Sequence, residues 1–116
     1  MMDLAIKQSI VRRLEFARIE LSDLQQYQEV QYSDFNSDRS LRRNIERMIE
    51  NICNSTADVG KIILAQYDVE MPDTYRDVFV KLELVGFLDR PLSVTLAQIT
   101  KLRNVLAHQY LDIKWK

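Results

Sequence analysis

The chain has 116 residues, a length typical of one folded domain and too short for two. Hydrophobic residues make up 47% of it and charged residues 28%, values that exclude a disordered or fibrous protein. Its 16 basic and 17 acidic side chains nearly cancel, with a formal net charge of -1, so any contact with nucleic acid must be local. We therefore expect a single domain over residues 1–116.

The apolar segments indicate a protein that works in the cytoplasm. No stretch approaches the roughly 18 uninterrupted apolar residues of a membrane span, and the N-terminal segment lacks the apolar core of a signal peptide. Cys53 is the only cysteine and cannot form an internal disulfide. We expect it to be a small buried hydrophobic residue in a reducing compartment.

Helical spacing of apolar residues predicts a long first helix from about Asp3 to Val30. Its apolar stripe consists of Ile6, Ile10, Leu14, Ala17, Leu21, Leu24 and Tyr27. The next segment, residues 31–37, is rich in Ser, Asn and Asp, which form local hydrogen bonds that break helices. This composition predicts a linker.

A second long helix follows the linker, with Ser37 or Asp38 as its N-terminal cap. Its apolar stripe consists of Leu41, Ile45, Met48, Ile49, Ile52, Val59, Ile62, Ile63 and Ala65. Gly60 interrupts this pattern, at a cost of about 1 kcal/mol relative to Ala. The glycine therefore indicates close packing or a bend.

Two shorter helices complete the predicted fold. Pro72 ends the second helix, and Asp73 or Thr74 can cap a third that ends at Gly86. Pro91 suits the first turn of a fourth. The third helix carries Tyr75, Val78, Phe79, Leu82 and Val85, and the fourth carries Leu92, Leu96, Ile99, Leu102, Val105 and Leu106 on its buried side. No useful length of sequence alternates as a half-buried strand does, so we predict an all-α antiparallel helical bundle with four main helices.

Four residues that can carry chemistry crowd the end of the fourth helix. Arg103, Asn104, His108 and Tyr110 fall within eight positions, and His108 is the only histidine. Asn104 and His108 are four residues apart and share a helical face, whereas Arg103 and His108 point about 140° apart. Either the chain turns near His108, or a second copy completes the site across a symmetric dimer.

These side chains suit RNA cleavage without a metal. An imidazole exchanges protons near neutral pH, and a guanidinium offers a fixed cationic fork to phosphate oxygens. RNA supplies its own nucleophile, the 2'-hydroxyl, so a base and a cation suffice. We assign His108 as general base or acid, Arg103 as the cation that stabilises the phosphorane, and Asn104 as an orienting residue. No cofactor or metal is expected.

The segment Arg-Asn-Val-Leu-Ala-His-Gln-Tyr at 103–110 resembles the Arg-Asn-x-x-x-His-x-Tyr signature of HEPN-domain proteins, and specifically of the HepT-like ribonuclease toxins. The long first helix, the arginine-rich start of the second and the Pro-Asp-Thr-Tyr entry to the third at 72–75 occur in the family's order. The resemblance implies a HEPN-like bundle and a homodimeric ribonuclease toxin. In such a dimer Arg103 and His108 of both copies converge on one cleft.

The resemblance also implies a protein partner, a minimal nucleotidyltransferase antitoxin of the MntA type. Family members can be silenced by transfer of AMP to the tyrosine that corresponds to Tyr110. The added bulk and negative charge would block phosphate entry. Family members usually continue with a further helix after this tyrosine, whereas the sequence ends at Lys116, so we expect that last layer to be absent in whole or in part.

Arg39, Arg43 and Arg47 are candidate RNA-binding residues at the start of the second helix. With Arg42 they alternate with glutamates, so the default interpretation is a solvated, salt-bridged face, and the functional one is a track for RNA phosphates.

Two residues of the 103–110 motif also have plainer interpretations. Arg103 could pair with a carboxylate such as Asp112, and Tyr110 could simply fill a core or an interface. The whole protein could then be a non-catalytic helical subunit that binds a nucleotidyltransferase. A third hypothesis is a catalytically inactive fragment.

Overall fold

A computed structural model describes residues 3–107, with side chains described as far as Asn104. Every regular element in this range is a helix: α1 Leu4–Gln25, α2 Tyr32–Ser37, α3 Arg39–Leu64, α4 Tyr75–Leu84 and α5 Arg90–Ala107. The predicted all-α bundle of four main helices is confirmed, with α2 as a short addition. None of the helices in residues 3–107 has the length and apolar character needed to cross a bilayer.

Side-chain caps begin α3, α4 and α5, and two of these caps, Asp38 and Thr74, are among those that the sequence predicts. Asp38 caps α3, Thr74 caps α4 and Asp89 caps α5, each accepting a hydrogen bond from the backbone N–H three residues ahead, at 3.1, 3.1 and 2.9 Å. Such caps satisfy N–H groups that the first helical turn leaves free. Pro91 lies in the first turn of α5, and Gly86 follows α4 with a φ of 85°, as predicted for both.

The prediction of a linker at residues 31–37 is wrong, because α2 occupies most of it. Asp34 lies in the first turn, where a carboxylate stabilises the positive end of the helix. The Ser37 hydroxyl donates to the Ser33 carbonyl at 2.8 Å, so it bonds within the helix instead of breaking it. The rings of Tyr32 and Phe35 lie 6.4 Å apart and add a local contact.

The core lies where α3 meets α4. Its buried apolar side chains come from these two helices: Ala57, Val59, Ile63, Leu64, Val78, Phe79 and Leu82. A Cβ on Gly60 would lie 2.7 Å from Cγ1 of Val78, closer than real carbon contacts allow. The close packing that Gly60 indicates is therefore confirmed, and it sets the separation of the two helices.

The predicted apolar stripe of α1 is wrong at two positions. Leu14 and Leu21 are 49% and 48% exposed, whereas Arg13 and Glu20 are half-buried. Among the described helices α1 packs on α3 alone, and the amide of Asn51 on α3 donates to Glu20 at 2.8 Å. A polar contact thus helps to set which face of α1 meets α3, and two leucines of the stripe stay in solvent.

The buried side of α5 also differs from the predicted one. Leu92 and Leu102 are each 47% exposed, and Ser93 and Thr100 are buried instead. The Ser93 hydroxyl donates to the Phe79 carbonyl on α4 at 3.1 Å, which makes its burial inexpensive. Small hydroxyl side chains therefore occupy positions where α5 packs closely. Leu96 and Ile99 are half-buried, as their place in the stripe suggests, and the side chains of Val105 and Leu106 lie beyond those described.

Cys53 links α3 to α5 and is buried as predicted, with 3% of its surface exposed. Its Sγ lies 3.6 Å from the carbonyl oxygen of Ile99. Burial raises the pKa of the thiol to about 11, although the positive charge of Arg103 opposes this shift. The thiol is therefore protonated at neutral pH and acts as a packing residue.

Substituting Gly60→Ala should destabilise the fold. The new methyl group meets Val78 at a distance that forces α4 away from α3, at a cost of about 1–3 kcal/mol, of which better helix propensity recovers at most about 1 kcal/mol. Thermal unfolding should show a midpoint lowered by several degrees. Asn44→Ala, at an exposed position of the same helix, is the matched control and should change little. A Gly60→Ala protein as stable as the original would contradict the close contact.

Cys53 should react slowly with thiol reagents in the folded protein. A pKa near 11 instead of 9.0 lowers the thiolate fraction at pH 8 by roughly 100-fold, and burial adds steric protection. The rate of modification by iodoacetamide, followed by mass spectrometry, should be at least that much lower than in guanidinium chloride. It should also rise about tenfold per pH unit from pH 7 to pH 10. Equal rates in the folded and unfolded chains at pH 8 would show an exposed thiol.

Candidate functional site

Arg103 lies near the end of α5 and faces α3 and the start of α4. Its Nη2 is 3.9 Å from a carboxylate oxygen of Glu50 on α3. Its Nη1 donates to the side-chain carbonyl of Asn104 at 3.2 Å, and its Cζ lies 5.8 Å from the ring centre of Tyr75. The arginine side chain is 28% exposed. Three side chains thus hold one cation in a half-buried position.

The contacts of Arg103 leave part of its hydrogen-bonding capacity unused. Among the side chains that the structure describes, none hydrogen-bonds to its buried Nε or to the buried Oδ1 of Asn54 on α3. A buried polar group without a partner costs about 1–3 kcal/mol, so such groups are rare where they serve packing alone. The 3.9 Å ion pair with Glu50 is also long for a strong one. Arg103 is therefore held in place without being saturated.

Tyr75 connects the start of α4 to this arginine. It directly follows the cap Thr74, and its ring has Nζ of Lys61 at 4.8 Å as well as Cζ of Arg103 at 5.8 Å. An aromatic face attracts a nearby cation by about 0.5–1 kcal/mol. The ring therefore gathers two cations from α3 and α5 beside one another.

Sequence patterns alone do not identify Glu50 and Tyr75 as part of the site. By pattern, Glu50 is one glutamate of a salt-bridged face and Tyr75 is one apolar residue of a stripe. The pairing of Glu50 with Arg103 joins residues 53 positions apart in the chain, so no local spacing reveals it. Tyr75 belongs to the Pro-Asp-Thr-Tyr segment at 72–75. The place of this segment at the entry to the third predicted helix is the one sequence signal that points to the tyrosine.

Asn104 faces a different side of α5 from Arg103. It is exposed and lines a groove between α4 and α5, while its Oδ1 accepts the hydrogen bond from Arg103. The hydrogen bond between these two neighbouring residues therefore links the side of α5 that faces α3 with the side that faces α4. His108 and Tyr110 lie outside the described residues, as does Asp112, so their proposed roles stay predictions.

The three candidate RNA-binding arginines lie exposed along α3. Arg47, Arg43 and Arg39 precede Glu50 by three, seven and eleven residues, which on a regular helix places all three within about 60° of its direction. Glu50 contacts Arg103. The arginines therefore lie on the face of α3 that leads away from Arg103 toward the start of the helix.

Two further residues on α3 shape the charge of this face. Arg42 donates to the carbonyl of Asn36 at 2.8 Å and so helps to fix the start of α3 against α2. Burial raises the pKa of Glu46, and the charges of Arg42 and Arg43 oppose that shift. The carboxylate thus sits among arginines and offsets part of their charge.

Comparisons with known proteins point to one family. The family described as Ribonuclease HepT-like matches residues 17–116. The mRNA nuclease HepT of Shewanella oneidensis is 27% identical over 81 residues, which are 70% of this chain and 61% of that protein. The chain therefore aligns with less than two thirds of that relative's length.

Solved structures share the fold. One is a tri-AMPylated Shewanella oneidensis HEPN toxin in complex with MNT antitoxin, with a TM-score of 0.79 and 24% identity over 97% of this chain and 80% of that one. Another is a toxin–antitoxin with AMP-PNP, with a TM-score of 0.77 and 24% identity over 92% of this chain and 82% of that one. At 24% identity, these two matches show that the helical fold is shared.

The family match spans most of the chain, from within α1 through the whole of α5 and the motif at 103–110. The order of helices and the residues of the motif agree with it. This chain belongs to the Ribonuclease HepT-like family.

Proposed function

We propose that this protein is the toxin of a toxin–antitoxin pair and cleaves RNA without a metal, using Arg103, Asn104 and His108. The observation that carries the proposal is the setting of Arg103, whose side chain is 28% exposed and is held by a long, 3.9 Å ion pair with Glu50 and a hydrogen bond to Asn104. A phosphate oxygen is the kind of acceptor that such a group binds well.

The proposed reaction uses the nucleophile within the RNA. His108 removes the proton of the 2'-hydroxyl, whose oxygen attacks the adjacent phosphorus. The bond from phosphorus to the 5'-oxygen then breaks, leaving a 2',3'-cyclic phosphate and a 5'-hydroxyl that has gained a proton. Arg103 stabilises the extra negative charge of the phosphorane between these steps.

A homodimer suits this chemistry better than one copy. On a helix Arg103 and His108 point about 140° apart, so one copy aims them poorly at one phosphate. Two copies related by a two-fold axis supply two arginines and two imidazoles to a shared cleft. One imidazole can then act as base while the other donates the proton to the leaving oxygen.

The proposed partner is a minimal nucleotidyltransferase of the MntA type. Among the similar structures, an AMPylated HEPN toxin lies in complex with its MNT antitoxin. We extend this to the present chain, with Tyr110 as the residue that receives AMP. A phosphodiester on Tyr110 would add negative charge two residues from His108 and repel the RNA phosphate.

Arg39, Arg43 and Arg47 are proposed to guide RNA toward this cleft. They are exposed on the face of α3 that carries Glu50, and Glu50 contacts Arg103. Their contribution is to affinity, since contacts with phosphates carry no sequence information.

A second function stays in competition because of the contact between Arg103 and Glu50. A half-buried arginine beside a carboxylate also describes an ordinary structural ion pair. In that case the protein is a non-catalytic helical subunit that binds a nucleotidyltransferase. Such a protein would co-purify with its partner and leave RNA intact.

The His108→Ala protein should not cleave RNA, because it lacks the proposed base. Cleavage by the unaltered protein should persist in excess EDTA and yield 2',3'-cyclic phosphate ends, seen by mass spectrometry of a short oligonucleotide. Tyr110→Phe is the matched control, since it removes the proposed AMP acceptor and keeps His108. Both variants should retain the helical circular dichroism. Undiminished cleavage by His108→Ala would reject the assignment, and an intact substrate with every protein would favour the binding subunit.

Glu50→Gln should lower kcat about tenfold and leave KM nearly unchanged. The amide keeps the shape of the side chain but loses the charge that orients Arg103, and a tenfold effect corresponds to about 1.4 kcal/mol. Glu46→Gln, one turn earlier on α3, is the control for loss of one negative charge from this helix. Equal effects of the two substitutions, or faster cleavage by Glu50→Gln, would show that Glu50 does not position Arg103.

A further inference from the structure

A groove of about 510 Å³ runs between α4 and α5. Val80, Val94 and Ala97 supply apolar surface, and the cations along it are Arg76, Arg90 and Lys101. Asn104, whose side chain binds Arg103, also lines it. The groove therefore reaches one of the proposed catalytic residues, Asn104.

The groove is more positive than the protein as a whole. Its lining has three cations and one carboxylate, Glu83, for a net charge of +2, whereas the whole chain carries -1. Glu83 accepts a hydrogen bond from Nε of Arg90 at 2.9 Å, and Asp77, beside the groove, lies 3.4 Å from Nη1 of Arg76. Even with Asp77 counted, the net charge is +1.

Both arginines keep most of their surface in solvent despite these ion pairs. The side chains of Arg76 and Arg90 are 67% and 78% exposed, and Lys101 is exposed as well. Exposed ion pairs are worth only about 0–1 kcal/mol, so a phosphate can readily compete for the guanidinium groups. The cations are thus available to a polyanion.

The cations on α5 extend along the helix from the proposed site. Lys101 precedes Asn104 by three residues, about 4.5 Å along the helix axis, and Arg90 precedes it by fourteen, about 21 Å. A chain of several nucleotides can follow such a row. A single small anion would need only one of its members.

We propose that this groove binds single-stranded RNA and leads it to the cleavage site, with the cations on phosphates and the apolar surface against bases or sugars. The proposal rests on the proposed function, since it assigns the path of that enzyme's substrate. Single-stranded RNA fits because proteins that bind it combine a positive groove with apolar surfaces for the bases. Continuity with Asn104 favours RNA over an acidic peptide, because the end of the groove adjoins the arginine proposed to bind a phosphate.

The groove and the arginine row on α3 are separate candidate paths. The row at Arg39, Arg43 and Arg47 lies on the face of α3 that carries Glu50, whereas the groove lies on the α4 side of α5. A substitution in one path leaves the charges of the other in place. Binding measurements can therefore tell them apart.

The test measures binding of a fluorescent ten-nucleotide oligouridylate to the full chain, with His108→Ala present in every protein to prevent cleavage. Lys101→Glu and Arg76→Glu should each weaken binding about tenfold. Lys101→Ala should reduce the slope of log affinity against log salt by roughly 0.7, the value for one lost contact with a single strand. Arg12→Glu, an exposed charge reversal on α1, should bind nearly as the parent does, and melting curves establish that each variant is folded.

Several outcomes would contradict the proposal that this groove binds RNA. Equal weakening by Lys101→Glu and Arg12→Glu would show a general charge effect, and weakening by Arg43→Glu alone would place the RNA on α3. Equally tight binding of an oligoglutamate at the same ionic strength would favour an acidic peptide.

Cleavage by the unaltered protein is measured separately and decides the proposed function. If that protein cuts RNA while the groove variants bind normally, RNA binding in the groove is rejected and the proposed ribonuclease activity is supported. If it cuts nothing while the groove variants lose binding, RNA binding in the groove is supported, and both the enzyme and the path to a cleavage site are rejected.

Discussion

The close contact of α4 with α3 at Gly60 is the constraint on which the rest of the site depends. Only a residue without a Cβ lets Val78 approach so near, and this fixes the start of α4 beside α3. Tyr75 is then within reach of Lys61, and α5 returns antiparallel to α3 with Ile99 against Cys53. In this register the next turn of α5, which contains Arg103, lies beside Glu50 on α3. The position of Arg103 is thus a consequence of core packing.

The electrostatics of Arg103 reflect a balance between fixing a cation and leaving it reactive. A fully buried arginine with strong partners would be stable but unable to bind phosphate, and a fully exposed one would have to lose about 2 kcal/mol of rotamer entropy on binding. Here the ion pair is long, at 3.9 Å, and 28% of the side chain is exposed. In the proposed function, this setting would reduce the entropic cost of binding a phosphate and leave part of the charge accessible. The neighbouring Cys53 thiol stays neutral and does not compete for that charge.

The sequence predicts those features that local chemistry determines. The caps Asp38 and Thr74 follow from hydrogen bonding within four residues, and the apolar periods of α3 and α4 identify most of the core. Tertiary contacts account for the failures. The partner of Glu20 is Asn51 on another helix, and the buried hydroxyl of Ser93 is satisfied by a carbonyl of α4, so neither follows from a hydropathy pattern. In the same way the motif identifies Arg103, whereas its pairing with Glu50 becomes visible only in three dimensions.

The hydrogen bond between Arg103 and Asn104 has a consequence for how RNA and a second copy share the site. Consecutive helical residues point about 100° apart, so Arg103 turns to α3 while Asn104 turns to the groove beside α4. In the proposed function, an RNA in the groove would approach Arg103 by way of Asn104, which accepts its hydrogen bond. The proposed second copy would then have to approach the end of α5 without covering the groove. A dimer of this kind would be built around the ends of the α5 helices, with one groove leading outward from each copy.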